Sequence, residues 1–187
     1  MVFRDHTSPK VSPNENPQDK PVQAGSRYRL MQNLVSNADA VLVQTDEGNI
    51  AFKIETSQRD LMDVLVFRDM DGAVRCFISG FPATSAACTD VMGNDGHLLA
   101  RVTRTPISAV RDRFEVDIAS GGFWMVFGDA AGHEFTLENT TGRVAEVSRR
   151  WFVLPNSYGV EVAPGQDDAL VLAVATTIDQ LTHDYTH

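Results

Sequence analysis

The residues of this sequence with the clearest binding chemistry are arginines beside a tryptophan. Arg149, Arg150 and Trp151 are consecutive, and Arg143 precedes them within the same predicted strand. A guanidinium group binds phosphate or carboxylate through two parallel charge-assisted hydrogen bonds and also stacks on aromatic rings. Adjacent residues of a strand point to opposite faces, so we expect Arg149 and Arg150 not to line the same outer surface. One of them is then expected at the rim of the sheet.

A second pair of arginines, Arg101 and Arg104, lies on a strand at the matching position in the first half of the sequence. Together with the three arginines above, this pair completes the candidate anion-binding set. The competing interpretation is that all five are solvated strand charges that pair with acidic neighbours such as Glu146. Trp151 is expected to belong to the hydrophobic core rather than to a ligand site.

Catalytic motifs are missing from the sequence. It contains no G-x-S-x-G elbow, no G-x-x-x-x-G-K-[ST] phosphate loop and no G-x-G-x-x-G nucleotide fingerprint. The five histidines, at positions 6, 97, 133, 183 and 187, lack the spacing of metal ligands. We therefore expect no catalytic residues, no bound metal and no cofactor, and we expect that the protein is not an enzyme.

The charge balance restricts the partners. The chain has 187 residues, with 25 acids against 16 bases and a formal net charge of −9. Nucleic acids and anionic lipids attract positively charged surfaces, so this balance excludes nucleic acid and opposes diffuse attraction to membranes. Because Lys10, Lys20 and Lys53 are the only lysines, most bases are arginines, which favour directed bidentate contacts.

Two features predict the compartment. Cys76 and Cys88 form no C-x-x-C pair and no zinc spacing, which is typical of thiols in a reducing environment. The first residues lack the apolar segment of a secretory signal, and no apolar run approaches the roughly 20 residues of a transmembrane helix. We expect a cytoplasmic protein without a transmembrane segment, with a peripheral position at a membrane as the further option. The oligomeric state is left open.

The composition changes near position 26. Over 1–26, four prolines recur at every fourth position, from Pro9 to Pro21, among small polar residues. Large apolar side chains are too few there to offset the entropy lost on ordering. We predict a disordered tail over 1–26 and one folded domain over 27–187.

The folded region alternates short runs of β-forming residues with turn residues. Within 113–119, Phe114, Val116 and Ile118 point to one side, and the charged residues between them point to the other. Turns rich in Asp and Gly place glycines at positions 48, 72 and 96, a spacing of 24 that fits one hairpin per repeat. The sequence thus predicts about twelve antiparallel strands in a mainly β fold. Closure into a barrel is expected because it removes both unpaired edges.

One of these strands, over 143–150, is predicted to be irregular. Val144 and Val147 are three residues apart, so regular alternation would place them on opposite faces. A β-bulge inserts one extra residue and lets both side chains reach the core.

The C-terminal segment departs from the strand pattern. Asp167 and Asp168 follow the breakers Pro164 and Gly165 and offer an N-cap and an acidic first turn. The run over 169–175 is wholly apolar; its β-branched residues also allow a strand, but its length and cap favour a helix. A helix that is apolar on all sides has to be buried on all sides. We predict that it fills the barrel, with these central residues: Leu170, Leu172, Val174 and Ile178.

Three segments, in their order and spacing, resemble the LURP-one-related family of the tubby-like and phospholipid-scramblase-like superfamily. They read DEGNIAFKI, GDAAGHEFTLENTTGRVAEVSRRW and YGVEVAPGQDDALVLAVATTIDQ. The resemblance covers about 28–184 and implies a twelve-stranded barrel around a central hydrophobic helix. Tubby-like relatives bind phosphoinositide headgroups, and scramblase relatives bind calcium and associate with membranes. The lysine-rich surface and the membrane-spanning C-terminal segment of such relatives are missing here.

These observations lead to two functional hypotheses. The first is a non-enzymatic binding module whose outer surface recognises an anionic lipid headgroup or a membrane-proximal partner. The second is a protein–protein interaction scaffold with no lipid role, which the net charge of −9 favours. In both, binding takes place on the outside, because a barrel filled by its own helix has no ligand cavity.

Overall fold

The computed structural model describes residues 25–31, 40–79, 88–108, 111–152 and 156–183. The predicted tail over 1–26 lies outside the described residues as far as position 24, and Ser26 already begins the first strand. In chain order the elements are β1 (Ser26–Met31), β2 (Val41–Thr45), β3 (Ile50–Arg59), β4 (Met62–Asp69), β5 (Val74–Ile78), β6 (Cys88–Gly93), β7 (Leu98–Ser108), β8 (Arg111–Ile118), β9 (Phe123–Asp129), β10 (Glu134–Asn139), β11 (Gly142–Ser148), the 3-10 turn Arg149–Trp151, β12 (Ser157–Val162) and α1 (Asp168–His183).

The twelve strands form one closed antiparallel barrel. Each strand pairs with its neighbours in the chain, and β1 closes the sheet by pairing with β12. The closing register runs from Ser26 opposite Val162 to Met31 opposite Ser157. The predicted fold class is confirmed, with closure joining the two strands that are farthest apart in the sequence.

Alternation of side chains along the strands builds the core. In β8, Phe114 and Val116 are buried inside the barrel, whereas Arg113 and Asp117 are exposed on its outer face. Each fully buried apolar side chain of this size stabilises the fold by about 1.5–3 kcal/mol. The same period of two recurs in most strands, so the inner surface is apolar. In β4 and β5, Val64, Val66 and Phe77 are also buried, in a small cluster separate from the main core.

The irregularity predicted in β11 is present. The pairing with β10 passes from Leu137 opposite Ala145 to Glu138 opposite Arg143, which leaves Val144 as an extra residue. Val144, Ala145 and Val147 are consequently all buried. The bulge prediction is confirmed.

The C-terminal segment is a helix, and it occupies the barrel interior. The Asp167 carboxylate accepts a hydrogen bond from the Leu170 backbone N at 3.2 Å, as an N-cap does. Leu172, Val174 and Ile178 are fully buried, whereas Leu170 is only partly buried where the helix enters. Leu170 therefore lies at the edge of the core rather than at its centre. Within the described part of the chain, no helix combines the length and the apolar character needed to cross a membrane.

The two ends of the barrel differ in how the chain turns. At the end where α1 enters, hairpins turn through glycines with positive φ, including Gly72 at 81° and Gly96 at 85°. Glycine adopts this conformation without a steric penalty because it has no Cβ. At the end where α1 terminates, Asp60, Leu61 and His133 take positive φ values of 50°, 66° and 55°. Non-glycine residues in this backbone conformation carry a steric cost that the surrounding structure has to offset.

Candidate functional site

The five predicted anion-binding arginines do not form one cluster. Arg101 on β7 makes two hydrogen bonds to the Asp90 carboxylate on β6, at 2.6 and 2.8 Å. These hydrogen bonds raise the pKa of Arg101 further above its ordinary value. The Arg101 guanidinium thus donates to both oxygens of one carboxylate, so its bidentate donors are already used by a residue of the neighbouring strand.

Arg104 lies three residues after Arg101 on β7, and its side chain is buried. Its guanidinium donates to the Asp112 carboxylate at 2.6 Å and to the Leu181 carbonyl oxygen at 2.8 Å. Leu181 belongs to the last turn of α1, where backbone carbonyls lack partners within the helix. Arg104 therefore fastens the end of the helix to the barrel wall and does not face an external ligand.

Arg143, at the start of β11, is exposed and pairs with acids of its own surface. It contacts Glu146 and reaches the Glu161 carboxylate on β12 at 3.3 Å. Exposed pairs of this kind contribute at most about 1 kcal/mol each. Arg143 thus belongs to a surface network of charges.

Arg149 and Arg150 are both exposed, contrary to the expectation that they face opposite sides of a strand. The strand ends one residue earlier, because Ser148 caps a 3-10 turn over Arg149–Trp151 and accepts a hydrogen bond from the Arg150 backbone N at 3.2 Å. The Glu134 carboxylate accepts from the Arg149 backbone N, also at 3.2 Å. In a turn, alternation no longer applies, so two consecutive side chains reach solvent together.

Trp151 and the following Phe152 lie against the outer wall of the barrel. The expectation that Trp151 belongs to the core is wrong, because both rings rest on Gly159 of β12 and remain half-buried. A Cβ atom at position 159 would stand only 2.6 Å from Trp151 Cε3 and 2.9 Å from Phe152 Cε2. Glycine at this position therefore creates the flat seat on which the two rings pack.

Two further arginines, Arg27 and Arg29 on β1, flank these rings. Alternation in β1 turns Tyr28 inward and both arginines outward. The Arg27 guanidinium lies 4.6 Å from the Trp151 ring centroid, and that of Arg29 lies 5.9 Å from the Phe152 ring centroid. Cations at these distances are attracted by the negative faces of the rings.

Arg27 and Arg29 were not among the predicted binding residues, although the alternation already places both arginines on one face. Arg27 also pairs with Glu161 at 2.5 Å, and Arg29 contacts the uncharged Gln44. Their meeting with the aromatic rings depends on the closure of β1 onto β12, which no local pattern encodes.

Arg27 and Arg29 contact the two rings, and Arg149 and Arg150 directly precede the rings in the chain; we call this group of side chains the arginine–aromatic patch. It consists of Arg27, Arg29, Arg149, Arg150, Trp151 and Phe152. In the described part of the chain, Glu161 pairs with Arg27, and Glu134 lies 3.5 Å from an Arg150 side chain that is 84% exposed. Four arginines are thus grouped at one place in a chain whose net charge is −9.

Inside the barrel, a histidine–aspartate pair meets the second half of α1. His133 Nε2 lies 2.5 Å from Asp179 Oδ1, and the exposed fractions of the two side chains are 1% and 2%. The His133 ring stacks on Tyr158 at 4.5 Å between centroids. Burial, and secondarily the charge of Asp179, raises the pKa of Tyr158 well above its ordinary value. The pair is enclosed by the barrel, so it positions the helix rather than meeting solvent.

Comparison with known proteins identifies the family. The family model for LURP-one-related proteins matches residues 28–179. This chain belongs to the LURP-one-related family. The match begins one residue after Arg27 and ends at the buried Asp179, so it includes most of the arginine–aromatic patch and the helix. No curated protein matches the chain.

One solved structure extends the comparison to the fold of this LURP-one-related chain. A protein from Arabidopsis thaliana, known from an X-ray structure, aligns with a TM-score of 0.60 and 17% sequence identity. The alignment covers 84% of this chain and 93% of the Arabidopsis chain. At this identity the likeness establishes a shared fold.

Proposed function

We propose that this protein is a non-enzymatic binding module that recognises anionic phospholipid headgroups through the arginine–aromatic patch. The observation that carries the proposal is the placement of two half-buried aromatic rings beneath Arg27 and Arg29, beside the exposed Arg149 and Arg150. Arginine binds phosphate bidentately, and tryptophan favours the boundary between water and the apolar part of a bilayer.

Apolar side chains next to the patch support a membrane surface as the partner. Met31 follows Arg29 on the same outer face of β1, and Leu42 is on β2, two residues from Gln44, which lies opposite Arg29. Their exposed fractions are 40% and 45%. A surface that combines exposed apolar groups with arginines suits the headgroup region of a membrane, where both kinds of contact are available.

The distribution of charge favours one orientation of the protein on a membrane. The chain as a whole is acidic, and the patch groups four of its arginines. An anionic membrane would therefore attract this face and repel the remainder, which favours a single orientation. Attachment of this kind is peripheral and weakens as salt screens the charges.

The proposal contains no catalytic step and places the protein in the cytoplasm. Asp179 and His133 have the geometry of an acid–base pair, but both side chains are almost fully buried. Cys76 and Cys88 are both free thiols, which agrees with a reducing compartment.

Vesicle co-sedimentation tests the proposal. The full chain is mixed with vesicles of phosphatidylcholine alone or of phosphatidylcholine with phosphatidylserine or a phosphoinositide, at low and at physiological ionic strength. We expect binding to the anionic vesicles only, stronger at low salt. The double variant Arg149→Ala/Arg150→Ala is expected to weaken it roughly 30-fold, from about 1 kcal/mol per arginine near an anionic surface.

A matched control removes the same amount of charge elsewhere. Arg101→Ala/Arg113→Ala changes two exposed arginines on β7 and β8, strands that are remote from β1 and β12 in the barrel. Each pairs with an acid there, and the double variant should alter vesicle binding little. Equal losses in both double variants would mean that net charge alone governs the interaction. Absence of binding to anionic vesicles at low salt would overturn the lipid proposal and leave the interaction scaffold as the function.

A further inference from the structure

The outer face of β9 carries an unusual row of apolar side chains. Phe123, Met125 and Phe127 alternate with the inward-facing Trp124 and Val126. The exposed fractions of Phe123 and Phe127 are 49% and 52%. The outer face of an antiparallel sheet is ordinarily polar, so a row of three large apolar groups at successive outward positions marks a contact surface. We call these three residues the β9 stripe.

Acidic residues border the β9 stripe on both sides. On β8, Glu115 lies opposite Met125 and Asp117 lies opposite Phe123. On β10, Glu138 lies opposite Met125 from the other side. The neighbouring base Arg113 is paired with Glu115 at 3.1 Å. Arg101 lies opposite Asp117 and Arg143 lies opposite Glu138, but their guanidinium groups pair with Asp90 and with Glu146 and Glu161. Asp117 and Glu138 therefore keep the border of the stripe negatively charged.

The stripe leads into a groove at the end of the barrel where α1 terminates. The groove has a volume of about 830 Å³, and its lining includes Met125, Phe127, Asp112, Asp129 and Ile107. Ile107 is 64% exposed. A groove of this size accommodates large side chains of a bound segment. Its walls combine apolar side chains with the carboxylates of Asp112 and Asp129 and with the guanidinium of Arg113, and Asp112 and Arg113 are already paired with Arg104 and Glu115.

We propose that the β9 stripe and this groove bind a protein segment that carries large apolar side chains flanked by lysines or arginines. The apolar row removes such side chains from water, and the carboxylates of Glu115, Asp117 and Glu138 attract the flanking cations. The inference does not depend on the lipid proposal, because it concerns other strands and the opposite sign of charge.

The chemistry of the surface argues against the other occupants. Anionic headgroups would meet carboxylates of like charge. A symmetric contact with a second copy would place the acidic border of one chain against that of the other, because a two-fold interface joins the same patch on both. The sheet is closed, so a partner binds through side chains rather than by adding a strand.

The test uses two synthetic peptides with the same alternating leucine and phenylalanine core, one flanked by lysines and the other by glutamates. Binding to the full chain is followed by fluorescence anisotropy. We expect the lysine-flanked peptide to bind and the glutamate-flanked peptide not to bind. Phe123→Ser/Phe127→Ser should weaken binding roughly tenfold or more, because buried aromatic anchors dominate interface energies.

Two kinds of variant complete the test. Ile50→Ser/Met70→Ser alters exposed apolar residues elsewhere on the barrel and should leave peptide affinity unchanged. Asp117→Asn/Glu138→Gln keeps the apolar row and should lower affinity, with a weaker dependence on salt. Circular dichroism confirms that each variant is folded before its affinity is interpreted.

Four outcomes would overturn the inference. Equal binding of both peptides would show that the acidic border does not contribute to recognition. Binding that survives Phe123→Ser/Phe127→Ser would show that the apolar row does not contribute. Dimers in light scattering that dissociate in this variant would assign the stripe to a second copy. Loss of vesicle binding in the same variant would assign it to a membrane, whereas unchanged vesicle binding keeps the two surfaces separate.

Discussion

The two halves of α1 lie in the same barrel but differ in chemistry. The first half, over 169–175, consists of apolar residues, of which only Leu170 is not fully enclosed. The second half is equally buried yet contains Thr176, Thr177, Asp179, Gln180 and Thr182. The barrel wall beside the second half supplies His133 and Arg104 as partners. Thr177 and Thr182 donate to carbonyl oxygens of the helix itself. Burial therefore does not by itself dictate an apolar residue, because several of these polar groups have hydrogen-bond partners.

The contacts of the first half are mainly apolar, with polar groups only where the helix begins. The Tyr28 hydroxyl donates to the Asp168 carboxylate at 2.5 Å, and the Cys76 thiol donates weakly to the Ala169 carbonyl oxygen at 3.8 Å. Burial raises the pKa of both groups to about 12. The first half is thus held by hydrophobic burial, whereas the second is held by specific polar partners.

The largest loss of stability is expected when a charged residue is introduced into the first half of α1. Leu172→Asp places a carboxylate where no side-chain partner is available to it, and we expect a loss of more than about 4 kcal/mol, which unfolds the domain. Leu170→Asp, at the partly exposed entry, should retain the fold. Thermal unfolding followed by circular dichroism measures both. A folded Leu172→Asp barrel that has lost only vesicle binding would contradict the internal position of the helix.

A test of the second half removes one member of its buried pair. Asp179→Ala takes away the carboxylate beside the buried His133, and breaking such a pair costs about 3–5 kcal/mol. Asp179→Asn keeps the size and hydrogen-bonding capacity of the side chain and should cost less. Urea unfolding gives both values. Losses below about 1 kcal/mol for both variants would show that the polar half is as tolerant as a surface.

A smaller effect distinguishes the halves by pH. The pKa of Cys76 is raised from 9.0 to about 12, so the folded chain keeps a proton that the unfolded chain has already lost. Its contribution to stability is complete below pH 9 and disappears as the pH rises toward 12.

We therefore expect the stability advantage of the wild type over Cys76→Ala to shrink by roughly 1 kcal/mol between about pH 8 and about pH 10. Urea unfolding at the two pH values measures this change. Cys88→Ala removes an exposed thiol and serves as the control. Parallel pH curves for the wild type and Cys76→Ala would refute the prediction.

The smallest effect is expected from a polar residue of the second half that needs no barrel partner. The Thr177 hydroxyl donates to the Ala173 carbonyl oxygen of its own helix at 2.8 Å. Thr177→Val keeps the shape of the side chain and should change the unfolding free energy by less than about 1 kcal/mol. A loss as large as that of Asp179→Ala would mean that the hydroxyl serves the barrel wall instead.

Sequence reasoning succeeded for elements and failed for the patch. The alternation of Phe114 and Val116, the bulge at Val144 and the Asp167 cap are local patterns, and each predicted its element. The predicted positions of Arg149 and Trp151 were wrong because Ser148 caps a 3-10 turn, and the strand therefore ends before Arg149. Whether a strand continues into the next residue is decided by such side-chain hydrogen bonds as much as by propensity.

The amino-acid sequence by itself determined that this chain forms a twelve-stranded barrel around its own helix. Period-two alternation, regularly spaced turns and a capped apolar run are all encoded within a few neighbouring residues. Only the tertiary structure decided which side chains meet on the barrel and inside it. Arg27 and Glu161 are 134 positions apart, and His133 and Asp179 are 46 apart. Such pairs depend on strand register and barrel closure, which no short segment of the sequence specifies.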